Sequence, residues 1–229
     1  MRPHTEQVQR TIPQPRHRIP GPAEIVEEWR RRSARPGLTS VMRASQPVEL
    51  AAGVTEETRR LVGDHLRATS SLLGRPVSSA VEIGCGIGRI TPTIAKHAEH
   101  VLALDLTEEM IAQARAACVD LPNVEFLQRP AQRLPIGGQR VDVAVCVWVL
   151  MHVLDDALLA AACQGIARSA RYLSLVEYEH AAVPVGPFSR LRSIGQYLAL
   201  LPGSELVECR ELGYGGDRSF AALIALDRS

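Results

Sequence analysis

The run VEIGCGIGR, residues 81 to 89, places Gly84, Gly86 and Gly88 at alternate positions directly behind a short apolar segment. A strand ending this way must turn through left-handed backbone conformations, which glycine enters at no steric cost. The pattern downstream supports a strand there. AVEIG (80–84), HVLALD (100–105), VEFLQ (124–128), VDVAVCVWV (141–149) and YLSLVEY (172–178) are short, apolar and rich in β-branched residues. Parallel strands buried on both faces read like this. Helical segments are predicted between them over 89–98, 107–118 and 155–169, with another near 188–200. SELVECREL (204–212) and SFAALIALDR (219–228), set off by Pro-Gly and Gly-Gly, predict a closing antiparallel pair. Together these give an α/β chain: a doubly wound, mostly parallel seven-stranded sheet with an antiparallel C-terminal strand.

Upstream of the sheet the character changes. Residues 1–22 hold Pro3, Pro13, Pro15, Pro20 and Pro22 among polar and basic groups and have no periodic apolar face, so they read as a flexible basic arm. Residues 23–74 read as an N-terminal helical cap or lid, and 75–229 as the main domain. In the cap, AEIVEEWRRRSA has acids early, arginines late, and Ile25, Val26 and Trp29 on one side. Thr55, followed by Glu56 and Glu57, is expected to cap a second helix that carries Leu61, Val62, His65, Leu66 and Leu72 inward.

The formal charge of +1 gives no global field for nucleic acid or an anionic membrane, although nine arginines face four glutamates in the first 45 residues. The chain has no bilayer-length apolar run and no signal-like start, which predicts a soluble, cytoplasmic protein, monomeric or homodimeric, with neither membrane nor nucleic-acid partners. Five cysteines without a CxxC pair predict core-filling free thiols and no metal site.

Ligands of doubly wound sheets bind beyond the carboxyl ends of the strands, where residues 84–88 lie. Bare peptide groups there predict a nucleoside-like ligand resting on the turn. The spacing is GxGxG, with Arg89 where a dinucleotide-binding GxGxxG would have its last glycine. Glu82 could attract a cation and would repel a pyrophosphate. Asp105 ends the second strand, where an acid can accept two hydrogen bonds from a ribose diol; a helix-cap role for Asp105 and a salt-bridged role for Glu82 are the plainer alternatives.

In motif order, VEIGCGIG, ALD and RLPIGGQRVDVAVCVWVLMHV resemble the class I S-adenosylmethionine-dependent methyltransferases over roughly residues 75 to 180. The resemblance implies a Rossmann-like domain with S-adenosylmethionine as cofactor. Glu82 and the loop Gly84, Cys85, Gly86 and Gly88 would hold its amino acid portion. Asp105 would hold the ribose, Leu106 would pack beside the adenine, and Val147 would complete the set. Many relatives carry an aspartate after the third strand that meets the adenine amino group; here Pro130 stands at that place, leaving adenine to Leu106, Ala131 and Gln132. His152 is the candidate general base, with a scaffold role as the alternative. Trp148, Tyr178, Arg190, Arg192 and Tyr197 are candidate acceptor contacts, the arginines alternatively forming a solvated helix face. The implied reaction is direct in-line methylation of an oxygen or nitrogen on a small molecule such as a secondary metabolite. The rivals are a non-catalytic nucleoside-binding module and an NAD(P)-dependent oxidoreductase.

Overall fold

The computed structural model describes residues 18–42, 47–135, 138–214 and 216–226. Most of the predicted arm, residues 1–17, lies outside the described residues.

Seven strands form one sheet: β1 (Val77–Ile83), β2 (Ala98–Asp105), β3 (Val124–Gln128), β4 (Val141–Val147), β5 (Ala170–His180), β6 (Glu205–Tyr214) and β7 (Asp217–Ala225). Their order is β3-β2-β1-β4-β5-β7-β6. Strands β1 to β5 pair in parallel, and β7 runs antiparallel between β5 and β6. The predicted doubly wound seven-stranded sheet is therefore present. From β1 the chain winds outward through β2 and β3, then returns to β4 on the other side of β1. That reversal opens a crevice beyond the carboxyl ends of β1 and β4.

Period-two burial divides the core between the two faces of the sheet. Val143 and Val145 share one apolar cluster with Leu61, Val62 and Leu66 of helix α2 (Val48–Leu73), the second of two helices that precede the sheet. The alternate residues Ala144 and Cys146 pack with Leu159 and Ile166 of α5 (Asp156–Ser169). Helices α3 (Thr91–His97) and α4 (Glu108–Ala117) follow β1 and β2. Strand β3 departs from two-faced burial because it is a sheet edge, with Leu127 37% exposed. Cys85, Cys118, Cys146 and Cys163 are buried free thiols as predicted, but Cys209, on edge strand β6, is exposed.

Two expected helix boundaries and one expected core residue need correction. Thr55 is not an N-cap. Helix α2 begins seven residues earlier at Val48, and the Thr55 hydroxyl donates to the Ala51 carbonyl at 2.9 Å inside the helix. The apolar period continues upstream through Ala51 and Val54, both buried, so packing extends the helix past a local cap signal. Leu72, expected to point inward, is 48% exposed in the last turn before Gly74, which closes α2 in the left-handed conformation. The helix expected near 188–200 is only α6 (Ile194–Leu198), because Ser193 caps it by accepting from the Gln196 N–H at 3.3 Å.

The first helix, α1 (Pro22–Ser33), starts with Pro22 and with the Glu24 carboxylate accepting from Gly21 N–H at 2.9 Å, and it ends in Arg30, Arg31 and Arg32. Acids at the start and cations at the end both suit the helix dipole. Gln113 of α4 donates to the Ser33 carbonyl at 2.9 Å, fastening α1 over the crevice.

Candidate active site

Behind β1 the chain takes φ of +71° at Gly84, +56° at Gly86 and +80° at Gly88, the conformations predicted for this loop. The missing side chains also make room for protein atoms. A Cβ on Gly84 would lie 2.4 Å from Val149 Cγ2, and one on Gly86 would lie 2.8 Å from Val41 Cγ1. Gly88 faces away from the crevice, where its Cβ would press on Cys118 and the α4 backbone.

Asp105 ties this loop to the end of β2. One carboxylate oxygen accepts from Gly86 N–H at 2.9 Å and the other from Thr107 N–H at 3.1 Å. The side-chain cap of α4 is Thr107 itself, which accepts from Met110 N–H at 3.4 Å. Burial raises the Asp105 pKa, opposed by those backbone donors. Glu82 is 4% exposed and accepts from the Thr91 hydroxyl at 2.6 Å. Burial pushes it up to about 7 against the pull of Thr91 and Arg89, and Asp105 adds to the rise. Its charge therefore responds to whatever lies beside it near neutral pH.

A cavity of about 530 Å³ lies over these two acids. Glu82, Gly84, Cys85 and Gly86 line its floor, and Asp105, Leu106, Ala131 and Gln132 one end. Val147, Trp148 and His152 form a further wall. Its roof is Ile19, Ile25, Val26 and Trp29, from α1 and the residues before it, with Val41 alongside. The apolar side of α1 was legible in the sequence; what it covers was not, because an amphipathic helix does not name its partner.

Strand β4 stops at Val147 because Trp148 takes a φ of +55°, the one positive value outside glycine among the described residues. Its N–H still reaches the Val176 carbonyl at 2.8 Å. Its ring lies against Tyr178, with centroids 5.2 Å apart, and the Arg89 guanidinium sits 4.5 Å from its centre. The turn that follows rests on Glu177, which is fully buried and accepts from the N–H groups of Val149, Leu150 and Met151 at 3.0, 2.7 and 3.3 Å. Sequence reasoning gave Glu177 no such role, since its partners are backbone groups on another strand's loop. The turn presents His152, whose Nδ1 lies 2.7 Å from the Phe188 carbonyl. A carbonyl can only accept, so Nδ1 carries the proton and Nε2 keeps its lone pair. Burial holds the ring neutral, with a pKa down at about 4.

Three residues assigned to the acceptor are placed elsewhere. Tyr197 is fully buried in the core beside Phe220. Arg192 is 4% exposed and donates to the Val153 carbonyl at 3.1 Å, bracing the turn from behind. Arg190 pairs with Asp156 at 2.8 Å on the surface. Gly88 likewise stands off the cavity wall, and Tyr178 borders a separate chamber. Among the described residues, no group of three or more His, Cys, Asp or Glu is placed to hold a metal ion, and no helix is long and apolar enough to cross a membrane.

This sheet order, with a glycine turn and an acid at the ends of adjacent strands, is the class I methyltransferase fold, and comparison with solved structures agrees. The N-methyltransferase NodS from Bradyrhizobium japonicum WM9, in complex with S-adenosyl-L-homocysteine, superposes with a TM-score of 0.68 at 16% identity over 88% of this chain and 98% of that one. Magnesium protoporphyrin IX methyltransferase from Synechocystis PCC 6803, with the same compound bound, gives 0.67 at 18% identity, over 88% of this chain and 94% of that one. Residues 80–172 match the family described as "Methyltransferase domain". A ubiquinone biosynthesis O-methyltransferase of Methylococcus capsulatus is 34% identical over 105 residues, 45% of this chain and 43% of that protein's own length.

Proposed function

We propose that this protein is an S-adenosylmethionine-dependent methyltransferase that methylates oxygen or nitrogen on a small molecule. The observation that carries the reading is the convergence of Glu82, Asp105 and the Gly84–Gly86 backbone on one cavity. The donor set fits the cofactor: a carboxylate for an ammonium, a second for a diol, and an apolar end beside Leu106 and Ala131 for a base. It fits a dinucleotide badly, because Glu82 stands where a pyrophosphate would bring more negative charge.

When bound, the cofactor supplies a methyl group activated on a sulfonium. The chain's contribution is alignment and exclusion of water. The α1 roof and the Trp148 wall remove competing nucleophiles, and holding two reactants at attack distance is worth about 7 to 11 kcal/mol. In this reading Nε2 of neutral His152, on the cavity wall, takes the proton an acceptor hydroxyl loses, a role worth about 10²- to 10⁴-fold for a base matched to the working pH and less for one held near 4. An oxygen acceptor gains most from such a base. Relatives point both ways, one named as an O-methyltransferase and one as an N-methyltransferase.

Calorimetric titration with S-adenosylmethionine, and with reduced NADP as control, tests the reading. Binding of the first alone is expected. Binding of the nicotinamide cofactor alone, or of neither, would overturn it, and cofactor binding without methylated product in small-molecule extracts would favour a binding module.

A further inference from the structure

A second cavity of about 350 Å³ adjoins the first, and the two share three wall residues, Val41, Trp148 and His152. Its far side is built by the segment after β5, including Ala181, Val183 and Leu191, and by Met42 and Met151. The mutually stacked rings of Trp148 and Tyr178 both border it, and two methionines supply polarizable thioethers that pack well on rings. Among the described residues, the one formally charged member of this lining is Arg32.

Arg32 is held rigidly. Nε donates to the Ser40 carbonyl and Nη2 to the Met42 carbonyl, both at 3.1 Å, and the guanidinium lies 4.4 Å from the centre of the Trp29 ring. Among the described residues no carboxylate is within ion-pair distance of it, and the Nη1 hydrogens have no hydrogen-bond acceptor. The neighbouring arginines of α1 differ, since Arg30 and Arg31 both pair with acids. Arg32 is half-buried, so its spare donors are open to a ligand entering the chamber, and its planar fork matches a carboxylate best.

We infer that the second chamber is the acceptor site and takes a planar aromatic carboxylate, its acid group on Arg32 and its nucleophile toward the wall shared by Val41, Trp148 and His152. The inference rests on the methyltransferase reading for the identity of the first cavity. The chamber is of ordinary ligand-pocket size, its lining divided about equally between apolar surface for bulk and polar surface for orientation.

The test uses the full chain and two probes, 6-hydroxy-2-naphthoate and its neutral primary amide, titrated calorimetrically with S-adenosylhomocysteine at saturation. The acid is expected to bind at least tenfold more tightly than the amide. Arg32→Gln should abolish the acid's advantage over the amide, a ratio read within each protein and so independent of any shift in S-adenosylhomocysteine affinity through the Trp29 ring on which Arg32 stacks. Val183→Trp, at a half-exposed position of the lining, should weaken both probes and spare S-adenosylhomocysteine. The comparison of acid with amide on the unaltered protein needs no variant to fold. Equal affinity for the two probes, absence of binding to protein that takes up S-adenosylhomocysteine, or a preference that survives Arg32→Gln would each sink the proposal. Failure of S-adenosylhomocysteine itself to bind removes the methyltransferase reading instead. In that case an acid preference that depends on Arg32 would still uphold the anion-binding chamber, and its absence would end both.

Discussion

Asp105 carries two duties that substitution can separate. It fastens the glycine loop through Gly86 N–H and, in the proposed complex, holds the ribose. Asp105→Ala should weaken S-adenosylmethionine binding by about 1 to 3 kcal/mol, read by calorimetry, through loss of charge-assisted hydrogen bonds. Unchanged affinity would leave only the loop-fastening duty. Glu82 adds a pH signature. Its pKa is up at about 7, and a bound ammonium favours the ionised form, so the cofactor's Kd should fall as pH rises toward 7 and then level off, with a proton released on binding below 7. Glu82→Gln should flatten that profile. A variant that keeps the full pH dependence would show that another group titrates. Both acids were legible because their position relative to a strand end and a glycine turn is local information. Glu177 and Arg192 were not, since each is defined by backbone groups that come near only after folding.

At the level of elements, the strands were legible to within a few residues because burial on both faces leaves an unbroken apolar signature. The helices before the sheet were harder. Thr55 with two following glutamates satisfies the local rule for a helix start, yet the helix continues through it because its upstream turns bury Ala51 and Val54 against the same core. That helix is integral to the sheet's packing: His65 meets the β5 hydroxyl of Ser174 at 2.7 Å in the interior. Leu66→Ala, at a fully buried position of α2, should cost about 2 to 5 kcal/mol in urea unfolding. A loss below about 1 kcal/mol would mean that α2 does not unfold together with the sheet.

For the whole molecule, three buried groups and the half-buried His152 set an unusual dependence of stability on acidity. His65 and His152 have folded pKa values near 4, below the ordinary 6.5; their contribution is complete above 6.5 and is lost as pH falls toward 4. Glu82 and Glu177 are raised from 4.5 to about 7, so their contribution is complete below 4.5 and is lost as pH rises toward 7. Between about pH 4.5 and 6.5 the unfolded chain gains two protons on the histidines and gives up two from the acids, and the slopes cancel. These groups therefore leave Tm nearly level across that window. Glu177→Gln removes one opposing member, and Tm should then climb with pH by about 3 to 5 °C per unit, from about 1.4 kcal/mol per unit and the usual entropy of a chain this long. A slope equal to that of the unaltered protein, measured by calorimetry, would show that Glu177 stays ionised in the fold.

The roof formed by α1 has a kinetic corollary. With Ile25, Val26 and Trp29 over the crevice, a bound nucleoside leaves past the helix, and exit of the demethylated by-product is expected to be slower than the chemistry beneath. Rapid mixing should then show a burst close to one methylation per protein molecule before the steady rate, and thinning the roof with Trp29→Ala should raise that steady rate while shrinking the burst.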